Sequence, residues 1–157
     1  MAHDQDANQL FLEEARQLVD SIEATTLELE TDAGNAELIA EQFRLLHTLQ
    51  GAAAMYGFDR AAQIAHEVET VYDGIRRQQV PVTPPVTQMS LMACDVLGLL
   101  VTPAALEPEA FAAEVLALQS LLAELGETDV AAGATHDVRK APPVGRVATY
   151  LVRLHPD

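Results

Sequence analysis

Hydrophobic positions recur at three- and four-residue intervals from Leu10 to Leu125, and this spacing predicts five helical segments. The first covers about 6–31, where Leu10, Phe11, Glu14, Leu18, Ile22, Thr25 and Leu29 keep helical spacing with carboxylates on the far side. Thr31-Asp-Ala-Gly-Asn35 should break it, with Asn35 as the N-cap of the next segment. The second covers 36–55 on a stripe of Leu38, Ile39, Leu45, Leu46, Leu49 and Ala53, and Gly57 is placed to end it. The third, 60–78, repeats Ile64, Val68, Val71 and Ile75, with Asp59 as its expected cap and Phe58 as a hydrophobic staple in front of it. Pro81-Val-Thr83-Pro84-Pro85 stops the chain and restarts it, with Thr83 or Thr87 capping a fourth helix that reaches Val101. After Thr102-Pro103 a fifth helix is expected over 107–125, with Phe111, Val115, Leu118, Leu121 and Leu122 as its apolar face.

Beyond Leu125 the pattern changes. Residues 126–145 are rich in Ala, Gly, Thr and Pro without periodicity and read as a flexible linker after a first domain of residues 1–125. Residues 146–157 are β-branched around Tyr150. A lone strand leaves its backbone unpaired, so this stretch reads as the truncated start of a following domain; the alternative is a disordered or docked tail.

Composition narrows the functional classes. Hydrophobic residues make up 49% of the 157 positions and aromatics only 4%, a balance that suits closely packed all-α structure. A formal charge of −15 repels phosphate backbones and anionic lipid, so nucleic acid and membrane are disfavoured as partners. The apolar run 90–102 is interrupted by Asp95 and too short to cross a bilayer. The first residues are polar and acidic, unlike a signal peptide, and the single cysteine, Cys94, fits a reducing, cytoplasmic compartment as a buried small hydrophobe.

The stretch with chemical content runs from Phe43 to Phe58. At about 100° per residue the apolar stripe centres between Leu46 and Leu49, which leaves His47 on the flank among Phe43, Gln50, Gly51 and Ala54. Gly51, one turn after His47, clears space over the imidazole, and Ala52, Ala53 and Ala54 keep the surroundings low. On the third helix His66 and Glu69 are three apart and share a face. If the second and third helices are antiparallel neighbours, that face can meet His47. A carboxylate accepting from one ring nitrogen would then fix the tautomer and leave the other nitrogen free to attack. Taken singly, a histidine on a helix flank is more often a solvated side chain, and His66 with Glu69 an ordinary surface pair. A metal-binding bundle and a structural adaptor remain open on these residues, although the chain has no His-Glu-x-x-His run and no cysteine pair.

The run His47-Thr-Leu-Gln-Gly51-Ala-Ala-Ala-Met-Tyr-Gly57-Phe58, followed by His66-Glu-Val-Glu69 and Asp73-Gly-Ile-Arg76, resembles the phosphotransfer (HPt) domain of the chemotaxis histidine kinase CheA over roughly residues 10–125. The resemblance implies an up-down four-helix bundle with an additional C-terminal helix. It implies that His47 is the phosphoacceptor, Glu69 the carboxylate that orients it, His66 a tuning neighbour and Gly51 the clearing glycine. The family's lysine three residues after the histidine is Gln50 here, so a positive charge beside the phosphoryl group is missing; Arg44, three residues before His47, either compensates for it or, the reading the position favours, is simply solvated. The implied partners are a histidine kinase catalytic domain and response-regulator receiver domains, which would bind ATP and Mg²⁺ themselves. This chain has no glycine-rich nucleotide loop and should hold no cofactor, acting as a monomeric carrier whose enzymatic label belongs to a longer parent. A free-standing or hybrid-kinase phosphotransfer protein is the nearest alternative context.

Overall fold

The structure, a computed structural model, describes residues 2–102 and 108–133. It consists of five helices in chain order: α1 (Ala2–Thr31), α2 (Ala36–Met55), α3 (Asp59–Arg76), α4 (Pro84–Leu100) and α5 (Pro108–Gly133). Helix α1 packs against α2 and α4, and α3 packs against the same two, which closes a four-membered ring with short connections. Helix α5 leans on α4 and α3 from outside that ring. The all-α class and the bundle with an appended helix are as expected.

The apolar stripes turned inward differ in detail from the expected ones. On α1 the buried positions are Phe11, Ala15, Val19, Ile22, Thr25, Thr26 and Leu29, while Leu10 is 56% exposed and Glu14 faces solvent. The stripe follows from Phe11 through small residues, Ala15 and Val19, which carry less hydrophobic signal than Leu10 but fit a close helix–helix seam. On α2 the fully buried positions are Gln42, Leu46, Leu49 and Ala53, with Leu38, Ile39 and Leu45 packed at the edge.

Gln42 belongs to a polar layer in which each helix of the ring supplies one side chain. Its Nε2 donates to Thr26 Oγ1 at 2.8 Å, and Thr26 Oγ1 donates to the Ile22 carbonyl at 2.7 Å. Across the core Tyr72 and Ser90 hydroxyls lie 2.7 Å apart; because Ser90 Oγ donates to the Val86 carbonyl, the Tyr72 hydroxyl donates to Ser90. Burial pushes the Tyr72 phenol up from its ordinary value, and the polar side chains of Ser90, Gln42 and Thr26 oppose that rise. Cys94 lies beside the Val19 carbonyl in the α1–α4 seam, a buried thiol as expected.

Helix ends hold most of the corrections. Asn35 caps α2 as expected, its Oδ1 accepting from the backbone N–H of Glu37 and Leu38. Asp59 is not the cap of α3. That position is held by Phe58, with no side-chain hydrogen bond, and Phe58 packs its ring 4.8 Å from that of Phe11 instead of acting as a staple. Burying an aromatic ring across to α1 outweighs a single exposed cap bond here. Thr83 occupies the cap position of α4 without a side-chain bond, ahead of Pro84 at the first helical position. Thr87 lies within the helix, its hydroxyl donating to the Pro84 carbonyl.

Helix α5 continues through Gly126 to Gly133, so the first part of the expected linker 126–145 is helical. One glycine costs about 1 kcal/mol in a helix, which the following Glu127-Thr-Asp-Val-Ala-Ala run tolerates. The remainder of that linker and the strand expected over 146–157 lie outside the described residues.

Candidate functional site

Helices α2 and α3 meet most extensively in the bundle, and their seam holds the candidate site residues. His47 on α2 faces Glu69 on α3, while Phe43, one turn earlier on α2, meets Arg76, two turns later on α3. Moving backward along one helix while moving forward along the other is the signature of antiparallel neighbours. The condition for His66 and Glu69 to share a face with His47 is thus met.

His47 Nδ1 lies 2.9 Å from Glu69 Oε1. A carboxylate oxygen accepts, so Nδ1 carries the hydrogen in the neutral ring and Nε2 keeps its lone pair. The two partners differ in exposure: the His47 side chain is 67% exposed and that of Glu69 only 12%. The ring therefore presents its free nitrogen outward while its acidic support is held within the seam. That arrangement makes the imidazole an oriented nucleophile, and the adjacent carboxylate offsets the positive charge that grows on the ring when Nε2 forms a bond.

His66 approaches the same carboxylate from one turn below, with Nδ1 3.8 Å from Glu69 Oε2. That is too long for a hydrogen bond and close enough for an electrostatic effect when the ring is protonated. Glu67, on the opposite flank, has its carboxyl raised from the ordinary value, by burial first, with His66 pulling the other way. Gly51 sits on open ground: a Cβ built there would meet nothing within 4 Å. Gln50 is half-buried next to it. Arg44 is paired with Glu41 on its own helix, and its backbone carbonyl accepts from Thr48. Of the two positions that could place a cation near the imidazole, 50 is a neutral glutamine and Arg44 is paired with Glu41.

In the sequence Phe43 stands one turn from His47, and Arg76 is a distant motif residue. The structure joins them. Phe43 and His47 rings are nearly parallel, 9° apart with centroids at 6.1 Å, and the Arg76 guanidinium carbon stands 4.1 Å over the Phe43 ring. The spacing of Phe43 and His47 on one helix was readable; the arrival of Arg76 depends on how α3 is set against α2.

The model of the Hpt domain family matches residues 7–128. The chain belongs to that family. Among curated relatives, this Hpt chain is similar to the chemotaxis protein CheA of Listeria monocytogenes, 38% identical over 74 residues, which is 47% of this chain and 12% of that protein. It is 41% identical over 73 residues to CheA of Halobacterium salinarum, covering 46% of this chain and 11% of the relative. With CheA of Borreliella burgdorferi the identity is 36% over 88 residues, 56% of this chain and 10% of the relative. The chain thus spans only about a tenth of the length of these relatives. Among solved structures, the CheA phosphotransferase domain from Thermotoga maritima superposes with a TM-score of 0.59 at 30% identity, covering 61% of this chain and 91% of that one.

Proposed function

We propose that this Hpt domain is a phosphotransfer module of chemotaxis-type two-component signalling, carrying a phosphoryl group on His47 from a histidine kinase core to a receiver aspartate. The observation that carries the proposal is the pairing of an exposed imidazole with a sheltered carboxylate at 2.9 Å. In the first step Nε2 attacks the γ-phosphorus of ATP held by a separate kinase domain. The P–N bond forms as the bond to the bridging oxygen breaks and ADP departs with that electron pair. The ring becomes a phosphorylated imidazolium whose Nδ1–H remains on Glu69. In the second step a carboxylate oxygen of the receiver attacks the phosphorus and the P–N electrons return to Nε2, restoring the neutral ring. Glu69 positions and stabilises the imidazole, His66 tunes the charge around that carboxylate, and Gly51, Gln50 and Arg44 line the approach.

In this reading the chain holds no cofactor of its own; ATP and Mg²⁺ belong to the partner domains, and the module works as a monomer in the cytoplasm. In support, none of the described helices is long and apolar enough to cross a membrane, and the charge of −15 suits partners with basic patches. The test is transfer of labelled phosphate from a CheA-type kinase core to the purified chain. Wild type takes up label and passes it to a receiver domain, and His47→Gln does not. Glu69→Gln is expected to slow uptake by about 10- to 100-fold, the equivalent of a charge-assisted hydrogen bond. Label on His47→Gln at the wild-type level would remove the assignment and leave a helical adaptor.

A further inference from the structure

The seam between α2 and α3 holds a chain of groups longer than the reacting pair. Asp73 Oδ1 accepts from Arg76 Nη2 at 2.8 Å, and its Oδ2 forms an ion pair with Arg77, Nε at 3.1 Å. The Arg76 guanidinium covers the Phe43 ring at 4.1 Å, and the Phe43 ring lies nearly parallel to the His47 imidazole. Five residues therefore stand in line: Asp73, Arg76, Phe43, His47 and Glu69. Glu69 fixes the imidazole at Nδ1, but one hydrogen bond leaves the ring free to tilt about it. A second constraint comes from the side of Phe43, and Phe43 is itself held by the cation on its face.

We propose that Arg76 is a positioning residue for His47 that acts through Phe43. It rests on His47 being the reacting ring, and it adds a residue that touches neither the imidazole nor the phosphoryl group. A guanidinium lies flat on an aromatic ring and interacts with its negative face, which limits the ring's excursions. Asp73 in turn keeps the guanidinium at that height on α3. With Phe43 steadied, the imidazole keeps Nε2 pointed outward in the orientation that in-line attack requires. Arg77 shares the Asp73 carboxylate without reaching Phe43, so the molecule contains its own control.

The experiment uses the full chain with Arg76→Gln, Phe43→Leu, their combination and Arg77→Gln, each first checked for a wild-type helical spectrum and melt. Arg76→Gln keeps a planar polar group on an exposed helix surface and removes the charge, and Phe43→Leu keeps an apolar side chain and removes the ring face. The first readout is the ¹⁵N spectrum of the His47 side chain, which reports its tautomer balance and needs no kinase. The second is the initial rate of label uptake. Arg76→Gln should shift the His47 spectrum toward a mixture of tautomers and slow uptake by about two- to fivefold, the scale of one cation–π contact at a partly exposed site. Phe43→Leu should do the same, the double variant should lose little more than either, and Arg77→Gln should leave both readouts unchanged. An unchanged His47 spectrum in Arg76→Gln overturns the proposal even if uptake falls, since the charge would then act on kinase docking. Additive losses, or an equal effect from Arg77→Gln, overturn it as well. The phosphoacceptor assignment stands or falls separately on His47→Gln.

Discussion

At the scale of single residues, Gly51 has the clearest conflict between fold and site. Glycine within a helix costs about 1 kcal/mol relative to alanine, and nothing in the bundle requires its absence of a side chain, since a Cβ there meets no atom within 4 Å. Gly51→Ala should therefore stabilise the chain by about 0.5–1 kcal/mol in thermal melts. The same methyl group stands one turn beyond His47, where the proposed transfer needs room for a partner, so label uptake should fall while stability rises. A loss of both would show that the glycine serves the fold. Helical spacing puts His47, Glu69, His66 and Gly51 on their flanks, where taken singly they read as solvated side chains; the resemblance to the phosphotransfer family is what singles them out, and antiparallel α2 and α3 bring His47 and Glu69 together. Gln42 was not legible. A glutamine beside Phe43 reads as surface; in the fold Thr26, sixteen residues away, takes its amide N–H, while its buried Oε1 has no hydrogen-bond partner.

Among the elements, the two helix ends that bracket α3 behave alike but differ in how visible they are. Gly57 adopts φ +80°, with Phe58 N–H bonded to the Ala53 carbonyl and Gly57 N–H to that of Ala54, which closes α2 in a left-handed cap. The end of α3 repeats this with Gln78 at φ +61°, Gln79 N–H on the Gly74 carbonyl and Gln78 N–H on that of Ile75. A non-glycine residue in that conformation is strained by roughly 1 kcal/mol or more. Gln78→Gly should accordingly raise the midpoint of urea unfolding, with a gain of about 0.5–1 kcal/mol and no change in slope, because the glycine's own entropy cost offsets part of the relief. No gain would mean that the Gln78 side chain makes compensating contacts. The glycine at 57 announced its turn in the sequence. The glutamine at 78 did not, and the helix was expected to run two residues further than Arg76. The end of α5 differs for the opposite reason: apolar periodicity fades after Leu125, but residues 126–133 continue the helix.

For the molecule as a whole, the core is testable through Cys94. Burial pushes its thiol from an ordinary value of 9.0 up to about 12, with Glu23, Asp95 and Asp20 adding to the rise. The folded chain should resist alkylation at pH 8 and react only as fast as the bundle opens, so labelling across a urea series should follow the unfolding transition. Rapid labelling in the absence of urea would show that the α1–α4 seam breathes locally. The sign for stability follows from proton binding: above pH 9.0 the unfolded chain gives up this proton while the folded chain keeps it until about 12, so the contribution is complete below that window and lost as pH climbs through it. Stripe spacing makes the helices readable and the family resemblance implies their four-membered bundle, whereas the layer of Thr26, Gln42, Tyr72 and Ser90 at its centre is not legible, because polar residues carry no periodic signal of their own. That layer has a mechanical meaning. Sliding any of the four helices by one turn, about 5.4 Å, would strip interior hydroxyls and an amide of their partners at once, so the bundle has a single longitudinal setting. Gln42 precedes His47 by little more than a turn and Tyr72 follows Glu69 by less than one. Groups that never see solvent thus act as the pins of a hinge plate, holding imidazole and carboxylate opposite each other on the outer surface.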